Sequence, residues 1–287
     1  MSSSKAQNLV FGAMGAAAAA AVVCGGYSLL KNQSAKRYQP APANSAAQAD
    51  IPTAAESDDS YRAENNPEIQ RLCAQHAPTL YERTLKRACD VAIGTVAMVP
   101  VSLVIAASAV AIKYEDKGPV FYNAPRVGQY GREFTMYKLR SMKVNAPDLV
   151  MDDGSTYNGA DDPRMTRVGA FLRKTSLDEM PQFINVLKGD MSVVGPRPDL
   201  QRETQLYQGE EGLKLAVKPG ITGYAAVYGR NSLPWHERLK LDVYYVKNVS
   251  PLLDAKVFLK TFATVFKQEG IYVEDAPAAG ENENAAK

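Results

Sequence analysis

The sequence predicts an α+β protein held in a membrane. The expected architecture is a small membrane-embedded domain of short strands and surface amphipathic helices around a kinked re-entrant membrane helix, preceded by an N-terminal transmembrane helix. Three observations carry this reading. Residues 9–30 and 91–112 are uncharged apolar runs, each about the 20 residues that a bilayer core demands of a helix. From Tyr114 to Val273 the chain changes to short elements punctuated by Gly and Pro, the pattern of a mixed domain. Residues 250–268 then set Leu253, Val257 and Phe258 on one helical face and Lys256, Lys260 and Lys267 elsewhere.

The length of 287 residues allows one domain of ordinary size with attachments. The balance of 33 basic against 31 acidic side chains, a formal charge of +2, argues against a nucleic-acid partner. Cys24, Cys73 and Cys89 are odd in number and form no CxxC pair, so neither a disulfide framework nor a thiolate zinc site is expected. A reducing, cytoplasmic setting fits best. His76 and His236 are the two histidines. The chemistry therefore should not depend on a histidine cluster or a Ser-His-Asp triad.

In chain order, residues 1–31 read as a transmembrane anchor, rich in alanine from Ala16 to Ala21. A signal peptide cleaved near residues 46–49 is the competing reading. Lys31, Lys36 and Arg37 follow the run, and this basic excess places the next segment in the cytoplasm. Residues 32–66 are rich in Ala, Pro, Ser, Gln and Asp without periodicity, and are expected to be a flexible linker. The main domain is expected over 67–273. It opens with a helix over 67–87 carrying Ile69, Leu72, Leu80 and Leu85.

The run 91–112 differs from the first. Pro100 near its middle removes a backbone donor and predicts a kink, and Ser102 stands close enough to help satisfy the freed backbone. Arg83, Lys86 and Arg87 precede it, and Lys113 and Lys117 follow. Two basic flanks favour a helix that dips in and returns over a straight span. Beyond it, residues 118–122 read as a turn entering a strand, 131–137 as strand-like, 146–162 as an exposed loop, and 181–187 as a helix stopped by Gly189. The amphipathic helix at 250–268 either lies on the membrane surface or packs on the domain with a solvated lysine face. Residues 274–287 read as a disordered tail.

The densest polar constellation lies between Asp162 and Arg197. Pro181 fits only the first turn of a helix, which places Asp178 and Glu179 at that helix's N-terminus. There the macrodipole favours their ionised forms. Such carboxylates act as nucleophiles or as ligands of hard metal ions. The competing reading is a capping box, because Ser176-x-x-Glu179 has that spacing. Arg164, Arg167, Arg173 and Arg197 crowd the same stretch, and guanidinium groups recognise phosphate bidentately, or else pair with acids on a solvated face. The prolines of Gly195-Pro196-Arg197-Pro198 hold Arg197 on a rigid turn. Lys138 and Arg140 share a face if 137–140 is extended, which suits diphosphate or anionic headgroups, or simple solvation. Lys218-Pro219-Gly220-Ile221-Thr222-Gly223 reads as tight turns, with Tyr224, Arg230, Asn231 and Trp235 beyond as candidates for stacking a nucleobase or packing the core. Together these residues point to phosphate chemistry at a membrane surface with a divalent cation.

The chain resembles the bacterial sugar transferase family, the monotopic phosphoglycosyl transferases, from about Lys86 to Lys267. The resemblance is carried by Lys86-Arg87 with Asp90, Gly118-Pro119-Val120-Phe121, Arg126-Val127-Gly128, Lys138-Leu139-Arg140-Ser141-Met142, Asp162-Pro163-Arg164, Ser176-Leu177-Asp178-Glu179-Met180-Pro181-Gln182, Gly189-Asp190-Met191-Ser192, Val194-Gly195-Pro196-Arg197-Pro198 and Lys218-Pro219-Gly220-Ile221-Thr222-Gly223. It implies transfer of a sugar 1-phosphate from a UDP-sugar to polyprenyl (undecaprenyl) phosphate at the bacterial inner membrane, with the catalytic domain facing the cytoplasm. It further implies Asp178 as nucleophile, UMP as leaving group, and Mg2+ held by Asp178 and Glu179. Arg173 and Arg197 match phosphate-contacting positions, and Lys138, Arg140 and Arg164 are further phosphate-binding candidates. The product would start exopolysaccharide, capsule or O-antigen synthesis.

Tyr224 departs from the family's frequent Trp, and Val99 stands before Pro100 in place of a small polar residue. A glycosyltransferase releasing UDP and a non-catalytic scaffold of a glycan export complex are the rival readings. The sequence leaves open the hexose, the glycan pathway and the oligomeric state, a homodimer included.

Overall fold

The computed structural model describes residues 61–147, 149, 159, 162–229 and 233–267. The expected N-terminal anchor, most of the linker and loop 146–162, and the C-terminal tail lie outside the described residues. The last six positions of the expected linker are packed rather than loose. Ala63 is fully buried, and its backbone lies so near Gly131 that a Cβ there would approach within 2.5 Å.

The helix expected over 67–87 is two elements. Helix α1, Pro67–Gln75, is capped by the Asn66 carboxamide, which accepts from Glu68 N and Ile69 N, with Pro67 at the first helical position. It ends at His76 because Pro78 removes a donor and disfavours helical backbone in the residue before it. Thr79 and Glu82 then form a capping box: Thr79 N donates to Glu82 Oε2 at 2.8 Å, and Glu82 N donates to Thr79 Oγ1 at 3.3 Å. A wide turn over Tyr81–Leu85 leads into α2, Lys86–Asp116. Among the described residues, Tyr81–Asp116 is the one helix long and apolar enough to cross a membrane. Val96, Val99 and Val110 are each about 70% exposed, so the apolar middle of the helix is left uncovered by the rest of the protein. The helix runs through Pro100 without a break, and Ser102 Oγ donates to Val99 O.

Both ends of α2 are fastened to the globular part. At the start, Lys86 Nζ donates to Val194 O and to the Asp254 carboxylate, and Arg87 donates to the carbonyls of Val186 and Leu187. Asp90 Oδ1 accepts from Ser192 Oγ and Val193 N. At the end, Ile112 is buried with Leu139, Val168 and Leu172, and Asp116 is gripped by the Arg140 fork.

Strands β1, Phe121–Val127, and β2, Glu133–Leu139, form an antiparallel hairpin with Tyr122 opposite Lys138 and Arg126 opposite Phe134. Helix α3, Arg167–Lys174, the short turn Leu177–Glu179 and helix α4, Gln182–Lys188, follow. Gly189 ends α4 with φ 94°, the left-handed stop expected of it. Strand β3, Ser192–Val194, pairs in parallel with β4, Gly220–Thr222. The stretch read as tight turns at 218–223 thus contains a strand. Its glycine serves close backbone approach, because a Cβ on Gly220 would fall 2.1 Å from Gly195 N. Helices α5, Tyr224–Tyr228, α6, Trp235–Lys247, and α7, Pro251–Lys267, complete the order. The main core gathers Ile69, Val127, Met136, Val186, Met191, Tyr245 and Val257 from elements spread along the chain.

Candidate active site

Three segments converge on one spot: strand β2, the turn Leu177–Glu179 and the loop after β3. Ser176 enters the turn with φ 56°, a left-handed reversal after α3. Pro181 then starts α4 with its fixed φ and no donor to satisfy. Asp178 and Glu179 therefore occupy their own tight turn immediately ahead of α4, at that helix's N-terminal end. No capping box forms, since the Ser176 side chain makes no capping bond and Glu179 is engaged elsewhere.

Lys138 Nζ lies 3.0 Å from Glu179 Oε1, and Arg197 Nη2 lies 3.3 Å from the same oxygen. Glu179 Oε2 has no protein partner among the described residues. The two carboxyls diverge in proton affinity. Asp178, 6% exposed, is pushed up to about 6, by burial first and then by the Glu179 charge, against the pull of Lys138, Arg173 and Arg197. Burial also opposes ionisation of Glu179, but Lys138 and Arg197 outweigh it and hold this carboxyl down at about 2. With Asp178 at about 6 and Glu179 at about 2, both are ionised at neutral pH, Glu179 through its two cations and Asp178 despite its burial.

Arg173, from the last turn of α3, extends its field to Asp178. Its Nη1 is buried without a hydrogen-bond acceptor among the described residues and lies 3.8 Å from Asp162 Oδ2. An orphaned buried donor is costly, and a phosphate oxygen is the acceptor that would relieve it. Arg164 stands behind this group, with Nε and Nη2 on the Asp162 carboxylate. Its guanidinium orients the acid beside Arg173 and does not reach the dyad. Arg140 does not join the site. Its fork is spent on Asp116, with Nε on Pro119 O, so it fastens α2 to β2. The face shared by Lys138 and Arg140 does not form, because Arg140 lies past the end of β2.

Aromatic residues divide as the two sequence readings allowed. Trp235 is buried against Tyr207 and belongs to the core. Tyr224 stacks on Tyr228 at 4.4 Å, and Lys260 Nζ sits 3.4 Å over the Tyr228 ring. Arg230 and Asn231 lie outside the described residues. Arg126 stands in a segment that carries the family resemblance but was given no role by the sequence. Its charge is felt by Lys138, and the hairpin register, which no local pattern reveals, puts the two on one face.

The Arg197 loop is held by glycine as much as by proline. A Cβ on Gly195 would fall 2.4 Å from Lys218 O and 2.9 Å from Gly220 N. Gly195→Ala should therefore destabilise the protein by about 1–3 kcal/mol and displace Arg197. A lowered thermal midpoint together with a raised KM for the phosphate substrate is the expected result.

The sequence model described as "Bacterial sugar transferase" matches residues 81–268. The chain is 38% identical to the "Undecaprenyl-phosphate galactose phosphotransferase" of Salmonella typhimurium over 219 residues, 71% of this chain and 44% of the relative. It is 44% identical to the "UDP-glucose:undecaprenyl-phosphate glucose-1-phosphate transferase" of Escherichia coli over 193 residues, 64% of this chain and 40% of the relative. It is 38% identical to the "Uncharacterized sugar transferase EpsL" of Bacillus subtilis over 187 residues, 65% of this chain and 90% of the relative. The aligned part thus spans less than half of the first two relatives and nearly all of the third. The matched segment holds the whole dyad turn, the cations facing it and the apolar helix fastened behind them, and the chain belongs to the bacterial sugar transferase family.

Proposed function

We propose that this protein transfers a hexose 1-phosphate from a UDP-sugar to a polyprenyl phosphate, undecaprenyl phosphate in the named relatives, through a covalent intermediate on Asp178. The observation that carries this is the split dyad: a buried carboxylate that no cation among the described residues bonds, beside a carboxylate that two cations claim. Asp178 attacks the phosphorus bearing the sugar, the bond to the nucleoside phosphate breaks, and UMP leaves. An oxygen of the lipid phosphate then attacks the same phosphorus, the bond to Asp178 breaks, and the carboxylate is restored. Arg173, Lys138 and Arg197 neutralise the phosphate oxygens as charge redistributes.

The residues suit Mg2+. No group of three or more His, Cys, Asp or Glu side chains that could hold a metal exists among the described residues. Two adjacent carboxylates with an open Glu179 Oε2, completed by substrate phosphates, are the donor set that Mg2+ prefers. Asp178 and Glu179 would hold it, and its charge would supply further stabilisation of the diphosphate oxygens.

The attachments of α2 support a re-entrant arrangement. Lys86, Arg87 and Asp90 at one end and Ile112 and Asp116 at the other all grip the same globular part, which supports a reading with both ends on one membrane face. With basic residues at both flanks, that face is the cytoplasmic side of the bacterial inner membrane, where nucleotide sugars are made. The product would start a surface glycan. Intact-protein mass spectrometry with Mg2+ and UDP-glucose or UDP-galactose, without lipid acceptor, should show a gain of one hexose phosphate and release of UMP. Release of UDP, or turnover with lipid phosphate but no adduct, would overturn the reading.

A further inference from the structure

We propose that Arg126 binds the phosphate monoester that leaves the reacting phosphorus and, in the second step, the one that takes its place. This rests on the two-step transfer above. In the hairpin, residues 122, 124 and 126 share a face with 134, 136 and 138 directly across. Arg126 and Lys138 thus rise from one face, with the small Ala124 between Tyr122 and Arg126. The backbone gap is about 13 Å, which two long side chains narrow. Val127 N donates to Asp199 O at 2.9 Å, and this pins the loop bearing Arg197 beside Arg126.

Arg126, Lys138 and Arg197 therefore lie within one another's fields, and the acids around them are unevenly shared. Glu179 takes Lys138 and Arg197. Asp199, the acid nearest the pinned loop, is already held by Lys214 at 2.7 Å and Tyr207 at 2.6 Å. Among the described residues, the one side-chain hydrogen bond of Arg126 is from Nη1 to the carbonyl of Pro125. Burial disfavours the charge of this half-buried guanidinium, the Glu203 and Asp199 carboxylates offset that in part, Arg197 opposes it, and its other donors remain spare among the described residues. A phosphate beside Arg126 and Arg197 supplies the acceptor that the spare donors can take bidentately.

The position selects which anion. The charge neighbours of Arg126 are Glu203, Arg197, Tyr122 and Asp199, whereas those of Asp178 are Glu179, Lys138, Arg173 and Arg197. Arg197 is common to both sets, and the Val127–Asp199 bond ties its loop to the strand that bears Arg126. The reacting phosphorus must sit against Asp178, so Arg126 meets the next phosphate along. In the first step that is the phosphate of the departing UMP. In the second it is the lipid phosphate, whose oxygen forms the new bond as the bond to Asp178 breaks. Both are phosphate monoesters, and a bidentate arginine serves either.

The test uses the full chain in lipid nanodiscs, as wild type, Arg126→Met and Arg126→Lys. One arm measures the UMP concentration that halves turnover of UDP-glucose or UDP-galactose. The other measures KM for undecaprenyl phosphate. Both should rise about ten- to a hundredfold in Arg126→Met and less in Arg126→Lys, with the thermal midpoint unchanged. If Arg126→Met does not fold, Arg126→Lys carries the test, because it keeps the charge and loses the fork. Unchanged values in both arms overturn the assignment, and a rise in one arm alone overturns the shared role. A wild-type chain that releases UDP would instead mark failure of the two-step reading.

Discussion

Asp178→Asn should lower transfer by about 10⁴-fold or more while leaving the protein folded. The substitution keeps size and shape and removes only the ionisable oxygen. Because Asp178 is buried and pushed up to about 6, its ionised form is a burden on the native state. The native state holds a proton on Asp178 to higher pH than the unfolded chain does, so this group takes stability away as pH rises from about 4 to about 6. Glu179 acts in the opposite sense. Its carboxyl is held at about 2, so the stability it contributes is present above the ordinary glutamate range and lost as pH falls toward 2. Asp178→Asn removes the first effect and keeps the second. Its thermal midpoint at pH 7 should match or exceed that of the wild type, and it should acquire no hexose-phosphate adduct. In the wild type, turnover should fall as pH drops through about 6, where Asp178 takes a proton and would lose the nucleophilic role proposed for it. Substantial activity in purified Asp178→Asn would remove the covalent step and leave Asp178 a ligand or a structural carboxylate.

What the sequence made legible was local. The apolar run 91–112 announces a membrane helix by composition alone, and Pro181 with Gly189 brackets α4 because start and stop signals act within a turn. The dyad and its facing cations Lys138 and Arg197 were readable as residue types, and the structure brings all four together. What failed depends on partners distant in sequence. Arg140 was read toward phosphate because nothing near it shows that Asp116, 24 residues earlier, takes its fork. The strand Gly220–Thr222 looks like a turn because its partner is β3, and glycine is needed there for contact with Gly195. Residues 61–66 looked like linker because their partner is the Gly131 turn. The proton affinities of the dyad belong to this class as well, since burial of Asp178 and the reach of Lys138 follow from packing.

Lys214→Met is expected to be the most destabilising single substitution considered, at about 3–5 kcal/mol. Lys214 is 2% exposed, and its Nζ lies 2.7 Å from Asp199 Oδ2 and 3.0 Å from Asp242 Oδ2. One buried cation thus serves two buried carboxylates, and methionine strands both. Asp242 is already pushed up to about 6, by burial first, even with Lys214 attracting its ionised form. Without Lys214 the native state should hold that proton more strongly, so the defect should be largest at neutral pH and ease as pH falls toward 5. Thermal melts across that range test the sign. Adding Asp199→Asn and Asp242→Asn to Lys214→Met should recover part of the loss, because the stranded charges are gone. The consequence reaches the site by a short path. Asp199 is two residues beyond Arg197, its carbonyl accepts from Val127 N, and its carboxylate is the anchor that Lys214 holds. Lys214→Met should therefore also raise KM for the UDP-sugar, by letting the Arg197 loop drift from Glu179. A variant that melts early yet keeps the wild-type KM would show that the buried triad stabilises the fold without positioning Arg197.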